Sequence, residues 1–170
     1  HSDNISIWNL RGHAVPLDKL VPKLIRRISN KQYDAVIIDP IYKVITGDEN
    51  NASEMGAFCN QFDKICNETG SAAIYCHHHS KGAQGSKRAM DRASGSGVFA
   101  RDPDAQLDMI QLDAPEEFIA NYADNLSDTA WKLESSLREF KNFKPRNFWF
   151  KHPIHVLDTS GDLNKLFSEG

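Results

Sequence analysis

The run AIYCHHHSKG, Ala73 to Gly82, places a cysteine, three histidines and a lysine directly after an apolar segment. A second apolar run, AVII, ends on Asp39. A carboxylate at the end of a buried strand can hold Mg2+, directly or through water, beside a bound triphosphate. The plain alternative is an aspartate that caps the next turn. For the histidines, metal binding is the first chemistry to weigh. Neighbouring side chains on a strand point to opposite faces, so His77, His78 and His79 cannot all reach one ion if the strand runs through them. Cys76 and His78 would share a face, but a structural zinc takes about four ligands, and no other Cys or His is placed to complete the set. An internal run behind a core strand is not an affinity tag. A strand-tip histidine bonded to a phosphate or to a neighbouring loop fits the position best. A structural histidine with satisfied hydrogen bonds is the alternative.

A triphosphate site also needs a phosphate cradle. GAQGSK, Gly82 to Lys87, lacks the spacing G-x-x-x-x-G-K-[ST] and does not sit between a strand and a helix, so it is not a phosphate loop. The net charge of −3 over 170 residues says little, but its distribution says more. From Ser80 to Arg101, five cations (Lys81, Lys87, Arg88, Arg92, Arg101) stand against Asp91. From Arg138 to Lys151, five more (Arg138, Lys141, Lys144, Arg146, Lys151) stand against Glu139. The two segments are either solvated loops or phosphate-facing surfaces.

The elements that must position these groups follow from periodicity. ISIWNL, Ile5 to Leu10, reads as a strand. Leu17, Leu20, Val21, Leu24, Ile25 and Ile28 recur at three and four, an amphipathic helix that Pro16 opens. Pro22 suits only its first turn. AVII and SAAIYCH read as strands covered on both faces, as in a parallel sheet. Between them Met55, Phe58, Cys59, Phe62, Ile65 and Cys66 form a second helical stripe, ended by Gly70. The rhythm is that of βαβ units, and ligands of such sheets bind beyond the carboxyl ends of the strands. Asp39, the His77–Lys81 segment and the Gly/Ser-rich basic loop would converge there.

Ser80 to Asp91 is too long for a plain connector and is a functional candidate. A short helix fits within RASGSGVFARDPDA, and AQLDMIQL is a fourth strand. Asp113 to Asp128 reads as acidic and irregular. WKLESSLREF and RNFWFKHPIHVL read as hairpin or edge strands, with Trp131, Leu133, Phe148 and Phe150 as core.

Composition is that of an ordinary globular chain, 40% hydrophobic and 25% charged. No apolar run approaches a membrane span. The first residues do not form a signal peptide, and a cytoplasmic location is the expectation. The three cysteines follow no CxxC pattern and are expected to be reduced and buried.

In order and spacing, AVIIDP…GDENN…HHHSKG…RASGSGVFARDPDA resembles the second half of the RecA-like ATPase core of RepA-type hexameric helicases of plasmids and phages, and more distantly DnaB-type replicative helicases. The resemblance covers roughly Ile5 to Leu112. It implies ATP and Mg2+ as cofactors, single-stranded DNA as partner and a ring, a hexamer, of copies. Asp39 resembles the Walker B aspartate that positions Mg2+. His77 and His78 match paired histidines at the end of the next strand, with His78 the γ-phosphate sensor, and Lys81 and Gly82 complete that nucleotide-binding motif. Arg101 is similar to the arginine that reaches a neighbouring subunit's nucleotide. The RASGSG segment, with Arg92, Ser94, Gly95 and Ser96, resembles the loop that couples nucleotide to DNA, and Lys87 and Arg88 precede it as further phosphate contacts. Arg138, Lys141 and Arg146 are alternative trans-acting cations by analogy with DnaB-type proteins.

In that family the phosphate loop and the catalytic glutamate lie on earlier strands, and neither Glu49 nor Glu54 matches the latter. The expectation is therefore an α/β fold: a three-layer RecA-like core with a mostly parallel sheet, lacking its N-terminal phosphate-loop unit, plus antiparallel C-terminal strands. Residues 1–170 would form one domain, with a core at 5–112 and an extension at 113–170. Such a chain should not hydrolyse ATP alone. Two other classes stay open: a non-catalytic nucleic-acid or regulatory module of the same fold, and a metal-dependent hydrolase built on Asp39, His77 and His78.

Overall fold

The computed structural model describes residues 4–10, 12, 15–45, 47–78 and 97–167. They form two compact units, one containing residues 4–78 and 97–102, the other 103–167.

In the first unit, helix α1 (Leu17–Ser29) starts at Pro16, whose extended ψ of 141° turns the chain into the helix. Leu17, Leu20, Val21 and Ile28 line its buried face, and Arg26 and Arg27 complement the dipole in its last turn. Pro22 sits within the helix, one turn later than expected, where it cannot donate the bond a residue there owes to the preceding turn.

Strand β1 (Ala35–Ile38) follows, then a 3-10 turn at Ile41–Lys43. Helix α2 (Ala52–Thr69) opens on an Asn51 cap braced by Glu54. The Asn51 side chain accepts from Ser53 N and Glu54 N at 3.0 and 3.2 Å, and Glu54 accepts from Asp48 N at 2.8 Å and Asn51 Nδ2 at 3.0 Å. Gly70, left-handed at φ 72°, closes α2 as expected. Strand β2 (Ala72–Tyr75) pairs with β1 in parallel, Ala35 opposite Ala72 through Ile38 opposite Tyr75.

Both helices pack on one face of this pair. Val36, Ile38, Ala73 and Tyr75 join a single core with α1 and α2. The expectation of strands covered on both faces is therefore corrected: among the described residues only one face has a helical layer, and Ile37 and Ile74 are 66% and 47% exposed on the other. Ile5–Leu10 is also corrected. It forms no strand, because it has no ladder partner among the described residues, and Ile7 is 86% exposed. A short helix, α3 (Val98–Arg101), packs on α2 and fulfils the expectation of a helix in that segment.

The second unit is an antiparallel meander of β3 (Ala105–Gln111), β4 (Thr129–Leu137), β5 (Arg146–Lys151) and β6 (Ile154–Leu157). The fourth strand read from AQLDMIQL is present, but it pairs with β4 rather than extending the parallel pair. The Asp113–Asp128 segment is not wholly irregular. It carries α4 (Glu116–Tyr122), with two glutamates in the favourable first turn and Ile119 buried. With a 3-10 segment at Asp162–Phe167, α4 covers one sheet face around Ile119, Ala130, Trp149 and Leu163. Trp131, Leu133, Phe148 and Phe150 are not that core. Register places them on the opposite face, where they are half-buried.

A candidate nucleotide and metal site at the ends of the parallel strands

Parallel pairing brings the carboxyl ends of β1 and β2 side by side. The ladder continues past both: Cys76 N donates to Ile38 O at 3.0 Å, and Ile41 N donates to Cys76 O at 2.9 Å. These two bonds straddle Asp39 and set its exposed side chain next to Cys76. The pKa of the Cys76 thiol is raised, first by its partial burial and then by the negative charge of the neighbouring Asp39 carboxylate. The Asp39–Pro40 peptide is cis.

His77 and His78 continue from Cys76. His77 Nδ1 lies 2.7 Å from the His78 carbonyl oxygen, and a carbonyl only accepts, so the proton sits on Nδ1. The exposed His78 ring rests 5.6 Å from Tyr42, and Lys43 Nζ lies 4.8 Å from the centre of the same Tyr42 ring. The 3-10 turn thus folds an aromatic ring and a cation back beside the second histidine. Sequence reading missed Cys76 as a partner of Asp39, and missed Tyr42 and Lys43. The signal was Asp39-Pro40, which forces the chain to turn within a few residues of the carboxylate.

Arg101 is exposed at the end of α3. The negative charge of its neighbour Asp102 acts on the Cys59 thiol, which is fully buried. Burial first, then the Asp102 charge, push Cys59 up from 9.0 to about 12. The expectation of three buried thiols is corrected: Cys59 is buried, Cys66 half-buried and Cys76 exposed, and none is in a disulfide. Lys81, Gly82, Lys87, Arg88, Arg92, Ser94, Gly95 and Ser96 lie outside the described residues, as does His79.

The donor set can be tested against possible metals. Among the described residues no three His, Cys, Asp or Glu side chains converge on one point, so Asp39 and Cys76 fall short of a zinc site. One exposed carboxylate at a strand end fits Mg2+, which keeps several waters and takes its other oxygens from phosphates. Glu54, whose two carboxylate oxygens are both engaged in the cap of α2, is occupied structurally.

No curated protein sequence matches the chain. No helix among the described residues is long and apolar enough to cross a membrane. Residues 2–84, the segment that carries α1, β1, α2, β2 and the Asp39–His78 cluster, match the family model of a AAA domain, and this similarity supports a nucleotide-binding, ATPase-type domain in that part of the chain.

Proposed function

We propose that this chain is part of a RecA-like, RepA-type ATPase, a DNA helicase or replication motor of a phage or mobile element that couples ATP hydrolysis to single-stranded DNA. The observation that carries the reading is the pair of parallel strands ending together on Asp39 and on Cys76–His78, in the segment similar to a AAA domain. ATP with Mg2+ supplies the transferable γ-phosphoryl group and the charge neutralisation for it. Asp39 holds the metal. His78 senses the γ-phosphate, while His77, Lys81 and Gly82 line the nucleotide. Arg101 acts on the nucleotide of the next subunit in a ring, a hexamer. Lys87, Arg88, Arg92, Ser94, Gly95 and Ser96 track DNA phosphates without reading sequence.

The apolar face around Ile37 and Ile74, without a helical layer among the described residues, suits a further strand and helix layer, the unit that carries the phosphate loop and the catalytic glutamate. These 170 residues alone then lack hydrolytic activity. The second reading is a non-catalytic nucleic-acid or regulatory module of the same fold.

Reading the frame upstream separates the two. G-x-x-x-x-G-K-[ST] within about 100 residues supports the motor, since one βαβ unit needs at least about 30 residues; a degenerate loop in its place supports the module. In the motor, Arg101→Ala lowers hydrolysis on the order of 10³–10⁵-fold with ATP binding retained. Unchanged hydrolysis removes Arg101 from the trans role.

A further inference from the structure

An antiparallel sheet covered on one face ordinarily turns polar residues to solvent on the other. The second unit departs from this pattern, with apolar side chains on both faces. Its helix-covered face holds the charges: Asp108 stands opposite Glu134, and Lys132 pairs with Glu134 at 2.7 Å. The face turned away from α4 holds rings and aliphatic side chains. Trp131 stands opposite Phe148, Phe150 opposite His155, and Leu133 opposite Arg146. His155 packs edge-on against Trp131 at 5.4 Å and at 4.7 Å from Phe150, so the rings form one continuous surface. Leu107, on the same face, is 59% exposed. No Asp or Glu occupies any position of this face in the four strands.

The β4–β5 connection extends that surface. Ser135, on the face turned away from α4, accepts from Phe143 N at 3.2 Å and pulls the loop toward it. The sequence there, REFKNFKPR from Arg138 to Arg146, alternates rings with cations and contains four cations against one acid. Phe140 is 78% exposed. The exposed Phe140 ring costs solvation, and strands with no carboxylate on this face, beside a loop whose Lys141, Lys144 and Arg146 outnumber Glu139, attract an anionic partner.

We propose that this face binds single-stranded DNA, with bases stacked on Trp131, Phe148, Phe150 and Phe140 and the backbone held by Lys141, Lys144 and Arg146. Stacking suits a sequence-tolerant strand because every base has a π-face. Same-face residues along a strand are about 6.8 Å apart, which spaces the rings for successive unstacked bases. The choice of DNA over RNA rests on the proposed function, in which the nucleic acid is single-stranded DNA. The inference deepens the DNA-binding part of the proposed function and stands apart from its ATPase part.

The test is titration of the full chain with an oligo(dT), read by indole quenching and by anisotropy of the labelled oligonucleotide. The expected result is salt-dependent binding that quenches Trp131. Trp131→Phe keeps the affinity and removes most of the quench. Phe140→Ala, an exposed position that leaves the fold intact, weakens binding by about 5- to 150-fold. Arg146→Gln lowers the salt slope by about 0.7. An oligo(rU) binds more weakly than oligo(dT). Three results overturn the proposal: no oligo(dT) binding by wild type; binding unchanged in Phe140→Ala and Arg146→Gln but lost in Lys87→Ala with Arg88→Ala; or a dimer in sedimentation that Phe148→Asp dissolves without affecting DNA. The second result leaves the motor reading standing and removes only this face.

Discussion

Substitution of Ile37 by Ala probes whether the parallel pair is one half of a larger nucleotide fold. Full burial of an isoleucine side chain is worth about 1.5–3 kcal/mol. Ile37 is 66% exposed, so about a third of that, roughly 0.5–1 kcal/mol, is at stake in this chain. Ile65 in α2 is the internal comparison. It is fully buried, and Ile65→Ala should cost about 2–5 kcal/mol through lost transfer energy and the cavity left behind. Amide hydrogen exchange at Ala72 and Cys76, whose N–H groups bond to Asp34 and Ile38 across the pair, reports the opening energy of this unit alone. In a longer protein that includes the upstream unit, the face around Ile37 becomes interior and the cost of Ile37→Ala rises to the Ile65 range. Equal small costs for Ile37→Ala in both proteins would refute the idea that a strand layer covers this face. A large cost in the short chain would refute the exposed face itself.

Other consequences are direct. Asn51→Ala removes the acceptor for two helix N–H groups and should cost about 1 kcal/mol in a denaturation midpoint; a change below a few tenths would place the cap elsewhere. Gly47→Ala should cost more than that. Its φ is 91°, and a Cβ there would sit 2.0 Å from a Glu54 carboxylate oxygen, so it breaks the same cap from the other side. Cys59, protonated in the folded state until about pH 12 and ionising near 9.0 when unfolded, gives stability that is complete below pH 9.0 and lost as pH rises toward 12. Cys59→Ala should flatten that alkaline decline, and an unchanged slope would remove the buried thiol as its source. Asp39→Asn takes away a charge that raises the Cys76 pKa, so Cys76 should alkylate faster at pH 8; an unchanged rate would mean the two groups do not interact.

Much of the first unit was legible in the chain. The three-and-four spacing of Leu17 to Ile28 and of Met55 to Ile65 has one interpretation, and Gly70 ended α2 where only a left-handed residue closes a helix so tightly. Short apolar runs were harder. AVII reads the same whether one face or both are covered, because burial depends on elements elsewhere in the chain. In β5 the alternation of period two was visible, but not which phase faces inward. Phe148 and Phe150 outweigh Trp149 in a sequence count, yet Trp149 is the residue under α4. At the site, Asp39 and the histidines stood out by type and position. Cys76 did not, because its role comes from the register that sets it against Asp39, and register lies in the pairing rather than in either strand.

The central claim is a nucleotide site organised by Asp39. Its most direct measurement is magnesium-dependent ATP hydrolysis, with and without single-stranded DNA, by the protein extended upstream through its phosphate loop, compared with Asp39→Asn and with these 170 residues alone. The account predicts DNA-stimulated hydrolysis in the extended protein, its loss in Asp39→Asn with the fold intact, and none in the short chain. Hydrolysis that survives Asp39→Asn, or that the short chain performs unaided, would contradict it.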